Sequence, residues 1–404
     1  MKPSLRLLFA VCVIDVLGFG ILIPLVPYMA DRFGAPPEVI TPILGVYSLC
    51  QLVAAPFWGR MSDRYGRRPI LMASLAGACV SYVMLGLATN LWWLLASRAL
   101  GGFMAGNIAA AFAYAADISE PRERAASLGM VGAAIGVGFM LGPAIGGLLS
   151  GEDLHTANFV RPAAVSAGLS LLAIALVYFV LPESHPVVGN GRPRPVESAR
   201  RSGALRLLAE RPALRFLAGA SLLVTFSQAI LESIFAIWAM DHFGFGPRTV
   251  GLVMFGLAFI AVSVQGGFIR LLVPRFGEPR VATAGILAFV AGLLTVALVT
   301  TSGTADVTPA LVGLVLCGLG AGAFNPSASA LASRQSDELS RGAVMGTYQA
   351  SGSLARVIGP FVSGPIYALL GPAAPFVVGA CVTLPAAWCI WRSLPVSPSP
   401  AKAR

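Results

Sequence analysis

Lysine is almost absent from this 404-residue chain: Lys2 and Lys402 are the only two. A phosphate-binding loop needs a lysine behind its glycine-rich turn, so this sequence encodes no ATP-driven pump. Charge of either sign is scarce, at 11% of residues against 56% hydrophobic. Two soluble domains of that composition would have no surface to offer water, which excludes a water-soluble fold. Short-spaced cysteine pairs are missing too: Cys12, Cys50, Cys79, Cys317, Cys381 and Cys389 lie singly in apolar runs. Metal clusters and disulfide frameworks are thereby excluded, and the thiols read as core or lipid-facing groups. No metal, no cofactor and no enzyme chemistry is expected.

Long apolar runs are what the chain has instead. A helix needs roughly 20 apolar residues to cross about 30 Å of hydrocarbon. Twelve runs qualify: 5–30, 40–59, 70–89, 91–116, 125–150, 162–181, 214–240, 248–269, 281–300, 309–332, 342–367 and 374–391, numbered below as spans 1 to 12. The first carries Asp15 and lacks a small-residue cleavage pattern at its end, so it reads as a membrane helix rather than a cleaved signal peptide. With the N-terminus in the cytoplasm, 23 of the 28 Lys/Arg fall on the inner side, Arg32, Arg161 and Arg248 on the outer side, and Arg98 and Arg356 within spans. This asymmetry fixes the orientation and puts both termini in the cytoplasm. It also accounts for the net charge of +10 without a nucleic-acid partner.

The expected architecture is an all-α membrane protein of twelve transmembrane helices in two pseudo-symmetric six-helix bundles. Residues 1–181 form the first bundle, 182–213 a Pro/Gly/Arg-rich cytoplasmic linker, and 214–404 the second bundle with a short tail. Within the linker, 196–209 reads either as a basic amphipathic helix on anionic headgroups or as a solvated tether. The halves resemble each other station by station. Asp31-Arg32-Phe33-Gly34 returns as Asp241-His242-Phe243-Gly244, Tyr65-Gly66 as Phe276-Gly277, and Arg124…Gly129…Gly142-Pro143 as Arg341…Gly346…Gly359-Pro360, at offsets of 210, 211 and 217. Three matches in order point to a duplicated unit.

Between spans 2 and 3 stands Gly59-Arg60-Met61-Ser62-Asp63-Arg64-Tyr65-Gly66-Arg67-Arg68-Pro69. Span 4 carries Arg98-Ala99-Leu100-Gly101-Gly102, span 5 Gly138-Phe139-Met140-Leu141-Gly142-Pro143-Ala144-Ile145-Gly146-Gly147, and span 1 Asp15-Val16-Leu17-Gly18-Phe19-Gly20 with Pro24 and Pro27. Together these resemble the major facilitator superfamily, and the first half resembles its tetracycline/proton antiporter group. The resemblance implies the major facilitator fold, a cytoplasmic conformational latch built from Gly59, Asp63, Arg64, Gly66, Arg67, Arg68 and Arg124, and a leak-tight packing seam at Gly138, Gly142, Pro143, Gly146 and Gly147. The residues alone allow the same roles: Gly59 permits close helix approach, Asp63 suits a helix N-terminus or an arginine, and glycines at i, i+4, i+8 let helices pack backbone to backbone. They equally allow arginines that only fix topology and a generic packing face. The chain departs from the tetracycline group at Ser81, Ala261 and Phe289, where that group carries an acid, a histidine and an acid. Arg356 has no charged counterpart there, and Pro274 stands where the first half has Asp63.

Ionisable groups at bilayer depth usually face a partner or water. Asp15, Arg98, Glu232 and Arg356 are the clear cases, and two readings stay open: structural bridges, or proton coupling through Asp15, Arg98 and Glu232. Ser221, Thr225, Gln228 and Glu232 share one face of span 7, and Gln349, Ser353 and Arg356 one face of span 11. With Phe19, Gln51, Asn107 and Asn325 they are candidates to line a midplane cavity, joined by the aromatics Phe226, Trp238 and Tyr348; interhelical hydrogen bonding is the alternative for each amide. The expectation is a monomeric cell-membrane protein, energised by the proton gradient, that exports a small organic molecule or metabolite. A proton symporter for a small anion or sugar is the alternative. Tags placed at either terminus or within 186–210 should be cytoplasmic; labelling any of them from outside would overturn the topology.

Overall fold

The structure is a computed structural model that describes residues 3–120, 123–153, 156–184, 204–335 and 341–394. Twelve of its helices are long and apolar enough to cross a bilayer: Ser4–Arg32, Pro37–Tyr65, Arg67–Gly86, Leu91–Ile118, Ala126–Ser150, Val160–Val180, Pro212–Phe243, Pro247–Phe276, Glu278–Ser302, Thr308–Arg334, Gly342–Leu370 and Ala374–Arg392. They are the expected spans 1 to 12 in order, several running a turn or two longer than hydropathy suggested. Prolines sit in the first turn of spans 2, 9, 10 and 12, where a missing N–H leaves no bond unmade. Most of the expected linker lies outside the described residues; its last part forms a helix, Ala204–Glu210.

Three spans are interrupted. Span 1 divides into Pro3–Leu22 and Leu25–Arg32 at Pro24, which removes a donor and crowds the preceding turn. Span 4 divides into Leu91–Met104 and Asn107–Ile118 at Ala105–Gly106. Span 8 passes through a π-helical turn, Val264–Phe268, that includes Gly266 and Gly267. The repeat stations reappear as backbone geometry. Gly34 and Gly244 follow spans 1 and 7 at φ of 74° and 68°, while Gly66 and Gly277 separate spans 2 from 3 and 8 from 9 at 98° and 80°. Glycine adopts such angles without strain, so both halves turn the chain at the same places.

By contact the chain forms two compact units. The first comprises 1–194, 232–262 and 357–372, the second 195–231, 263–356 and 373–404. Sequence order divides the chain at the linker, whereas these units cut through spans 7, 8 and 11. In the first unit span 1 lies against spans 5 and 6. A Cβ on Gly138 would stand 2.8 Å from Val16, and one on Gly142 2.5 Å from Gly20, while Gly146 faces the Ile21 carbonyl. Three glycines one turn apart thus let two backbones touch. The implied packing seam is therefore, at these three positions, a span 1–span 5 contact inside the first half. Gly147 and Pro143 instead meet the start of span 8, at Pro247, Arg248 and Gly251. In the second unit spans 9 and 10 pair Gly285 with Gly320 and Gly292 with Gly313, and span 12 lies on span 9.

Gly129 and Gly132, in the same span as the seam, have nothing within 4 Å of a Cβ position. Gly146→Ala should therefore destabilise the protein by about 1–3 kcal/mol through overpacking, and Gly129→Ala should be neutral or stabilising by up to about 1 kcal/mol from helix propensity. Thermal unfolding of the purified variants checks this, and equal shifts would contradict a close-packed seam.

Candidate functional site

Asp15 lies on the part of span 1 that packs inward and is 8% exposed. Its carboxylate accepts a hydrogen bond from the Asn107 amide. The break in span 4 makes this possible, because Asn107 is the first residue after it. Its N–H donates to Ser74 Oγ at 2.9 Å and its Oδ1 accepts from Ile108 N–H at 2.9 Å, which fixes the amide with Nδ2 toward span 1. A small cavity beside the pair is lined by apolar side chains including Leu71, Leu75, Val131 and Ile135.

Arg98 is buried at 2% exposure, and its Nε and Nη2 have no hydrogen-bond partner among the described residues. Its guanidinium carbon lies 5.9 Å from the centre of the Tyr47 ring, which stacks on Phe19 at 4.5 Å. No ion pair between Asp15 and Arg98 occurs among the described residues. Instead Tyr47 and Tyr82 lie within electrostatic reach of both charges. The acid and the base, open by sequence either to bridging or to proton coupling, are thus separately housed in one aromatic neighbourhood.

The cytoplasmic loop forms a cluster of its own. Arg67 bridges Asp63 at 2.7 Å and Asp117 at 3.0 Å. Glu183 accepts the N–H groups of Arg67 and Arg68 at 2.9 and 3.1 Å, capping span 3 where Gly66 starts it. Arg68 donates to the carbonyls of Val177 and Tyr178 at the end of span 6. Arg64 and Arg124 are exposed and make no ion pair among the described residues. Nothing lies within 4 Å of a Cβ on Gly59, so the close helix approach expected there is not made. In the second half Glu278, the first residue of span 9, pairs with Arg334 at the end of span 10. These positions are offset by 211 from Arg67 and 217 from Asp117, so the same bridge recurs with its signs exchanged.

At the predicted outer end of the first unit, loops and helix starts are fastened together. Glu152 accepts from Gly246 and Thr249 N–H, each at 3.0 Å, and Arg248 N–H donates to the Gly151 carbonyl at 3.2 Å. Pro247 cannot donate, so the carboxylate takes the free N–H groups on either side of it at a positive helix end. Tyr28 donates to the Phe245 carbonyl at 2.9 Å, Tyr367 to Asp241 at 2.7 Å, and Gly364 N–H to Thr41 Oγ1 at 3.0 Å. These bonds are why the outer segments of spans 7, 8 and 11 cluster with the first half. No motif announced Glu152, and only its place as an outer-loop acid two residues beyond Ser150, next to Asp153, hints at a cap.

The polar stripes are only partly as expected. Ser221 and Thr225 are buried, facing Gly352, and Gln228 is half-buried. Glu232 is exposed and falls in the first unit, across the boundary from the rest of its stripe. Gln349, Ser353 and Arg356 are all exposed, and Gln51 and Asn325 half-exposed. Trp238 and Tyr348, expected as cavity aromatics, are packed inside instead, Trp238 stacked on His242 at 5.8 Å. Among the described residues no group of His, Cys, Asp or Glu suits a metal ion.

Comparison with known proteins agrees with this architecture. The profile of the Major Facilitator Superfamily matches residues 8–272 and 217–404. The tetracycline resistance protein of class C from Escherichia coli is 30% identical over 375 residues, 90% of either chain. Multidrug resistance protein 2 from Bacillus subtilis (strain 168) is 30% identical over 296 residues, 70% of this chain and 72% of that one. The crystal structure of a D-xylose–proton symporter superposes with a TM-score of 0.76 at 17% identity, covering 97% of this chain and 98% of that one. At that identity the likeness concerns the fold alone.

The Glu152 cap has a measurable consequence. Losing such a cap costs about 1 kcal/mol, so Glu152→Ala should shift the outer closure roughly fivefold toward opening. Val250, fully buried beside the cap, serves as reporter: in a background without the native cysteines, Val250→Cys should react several-fold faster with an impermeant maleimide when Glu152→Ala is added. An unchanged rate would mean that Glu152 does not hold this end closed.

Proposed function

The chain belongs to the Major Facilitator Superfamily, and we propose that within it the protein is a proton-coupled exporter, exchanging protons for a small organic compound by alternating access. The observation that carries this reading is Asp15. It is a carboxyl near the middle of a membrane span, buried, with a neutral amide as its hydrogen-bond partner. Such a group can take up and release a proton without stranding a buried arginine, which is the step antiport requires. Arg98, beside Tyr47 and Tyr82, is the neighbouring charge that senses whether Asp15 holds its proton, and Glu232 is the second acid available for coupling. The Arg67 cluster, whose bridges to Asp63 and Asp117 lie within the first half, braces the inner end of that half as it moves. Relatives named for tetracycline and multidrug resistance support the outward direction, since export protects a cell. Tetracycline itself is not the substrate proposed, because Ser81, Ala261 and Phe289 stand where that group carries polar groups. The protein resides in the cell membrane with both termini cytoplasmic, works as a monomer and needs no cofactor.

Growth protection across a panel of toxic compounds, in a host without its own exporters, identifies a substrate. In reconstituted vesicles Asp15→Asn should then retain exchange down a substrate gradient yet lose accumulation driven by an imposed pH gradient, because an amide carries no proton. Full pH-driven accumulation by Asp15→Asn, or by the double variant with Arg98→Gln, would remove Asp15 from the mechanism.

A further inference from the structure

Arg356 is the sixteenth of the thirty residues of its helix, Arg341–Leu370, so about 22 Å of helix extends to either side at 1.5 Å per residue. It is exposed, and it makes no ion pair or hydrogen bond among the described residues. A guanidinium does not shed its proton, so this is a permanent charge at bilayer depth. A charge there is tolerated where it meets water, not hydrocarbon.

The rest of the helix surface says which side is wet. At 100° per residue, Gln349, Ser353 and Arg356 fall within about 60° of arc, continued by Gly342 and Gly346, and all five are exposed. Leu354 and Ile358, also exposed, lie about 100° and 140° round the helix from Ser353, toward its opposite side, and give the helix its lipid-facing side. An amide, a hydroxyl and a guanidinium therefore share one water-facing strip, with two glycines leaving room beneath them.

No acid among the described residues of its own unit answers this cation. Among the described residues of the second unit, the only carboxylate in a membrane span is Glu278, at the inner end of span 9, where Arg334 takes it. A fixed positive charge on a wet strip, flanked by a hydroxyl and an amide and lacking a counter-ion among the described residues of its unit, is complementary to a ligand that brings the negative charge itself.

We propose that the substrate is a small organic carboxylate, bound in bidentate fashion by Arg356 and flanked by Gln349 and Ser353. The planar guanidinium fork matches a carboxylate and repels lipophilic cations. This rests on the reading of the chain as a transporter and names the class of its substrate.

Binding is tested apart from transport. The purified protein is titrated in detergent with aromatic carboxylates, their primary amides and lipophilic cations, following thermal stabilisation. The carboxylates should stabilise the wild type and the amides and cations should not. Arg356→Gln should weaken carboxylate binding by at least about tenfold, and Arg356→Lys, which keeps the charge and loses the fork, should fall between. The proposal is overturned if no carboxylate binds, if amides or cations bind as well, or if Arg356→Gln binds carboxylates like the wild type. Vesicle assays separate the two readings: a carboxylate that binds through Arg356 but ignores a pH gradient would sink proton exchange while leaving the anion site in place.

Discussion

Hydrocarbon tolerates a polar group only beside a partner or beside water, and the arrangement of this chain follows from that single constraint. Backbone groups are satisfied by closing into twelve helices. Once the backbone is helical, helices gain little by burying apolar surface against one another, since lipid is as apolar as leucine; what holds them together is close contact where side chains are absent. The seam of Gly138, Gly142 and Gly146 on Val16–Ile21 and the paired glycines of spans 9 and 10 are this solution used once in each half. The same constraint sorts the charges. Asp15 is lodged beside an amide, Arg98 beside aromatic faces, and Arg356 on an exposed polar strip.

Much of the fold was readable because membrane crossing needs only length and apolarity, which any twenty-residue window reveals. The duplication was readable because the turns at Gly34, Gly66, Gly244 and Gly277 need a residue type that survives in both halves. What escaped depends on partners distant in sequence. Gly59 and Gly146 look alike on the page, yet one faces open space and the other a backbone, and only the path of span 1 separates them. Asp15 and Arg98 were natural partners by charge, but the break at Ala105–Gly106 carries no proline to announce it and delivers Asn107 instead. The π-helical turn at Val264–Phe268 gave no periodic signal either. It begins two residues after Val262, where span 8 passes from one compact unit to the other, as expected of a place where a helix is loosened to bend.

The sign-exchanged bridges bear on how a duplicated chain avoids assembling with itself wrongly. Spans 3 and 9 are near-copies in station, as are spans 4 and 10, so a nascent chain offers each helix a second, nearly equivalent neighbour. Arg67 with Asp117 and Glu278 with Arg334 attract within each half. Crossed pairing of span 3 with span 10 would bring Arg67 to Arg334, and span 9 with span 4 would bring Glu278 to Asp117, turning two attractions into two repulsions. Asp117 is 28% and Arg334 67% exposed, so each correct bridge contributes little to the finished fold, under about 1 kcal/mol. Between two otherwise matched assemblies, two lost attractions and two gained repulsions of a few tenths each add to about 1–2 kcal/mol, enough to bias the choice several-fold while the helices are still finding their places. Exchanging the polarity of one repeated contact thus gives each half of a doubled molecule a way to recognise its own helices.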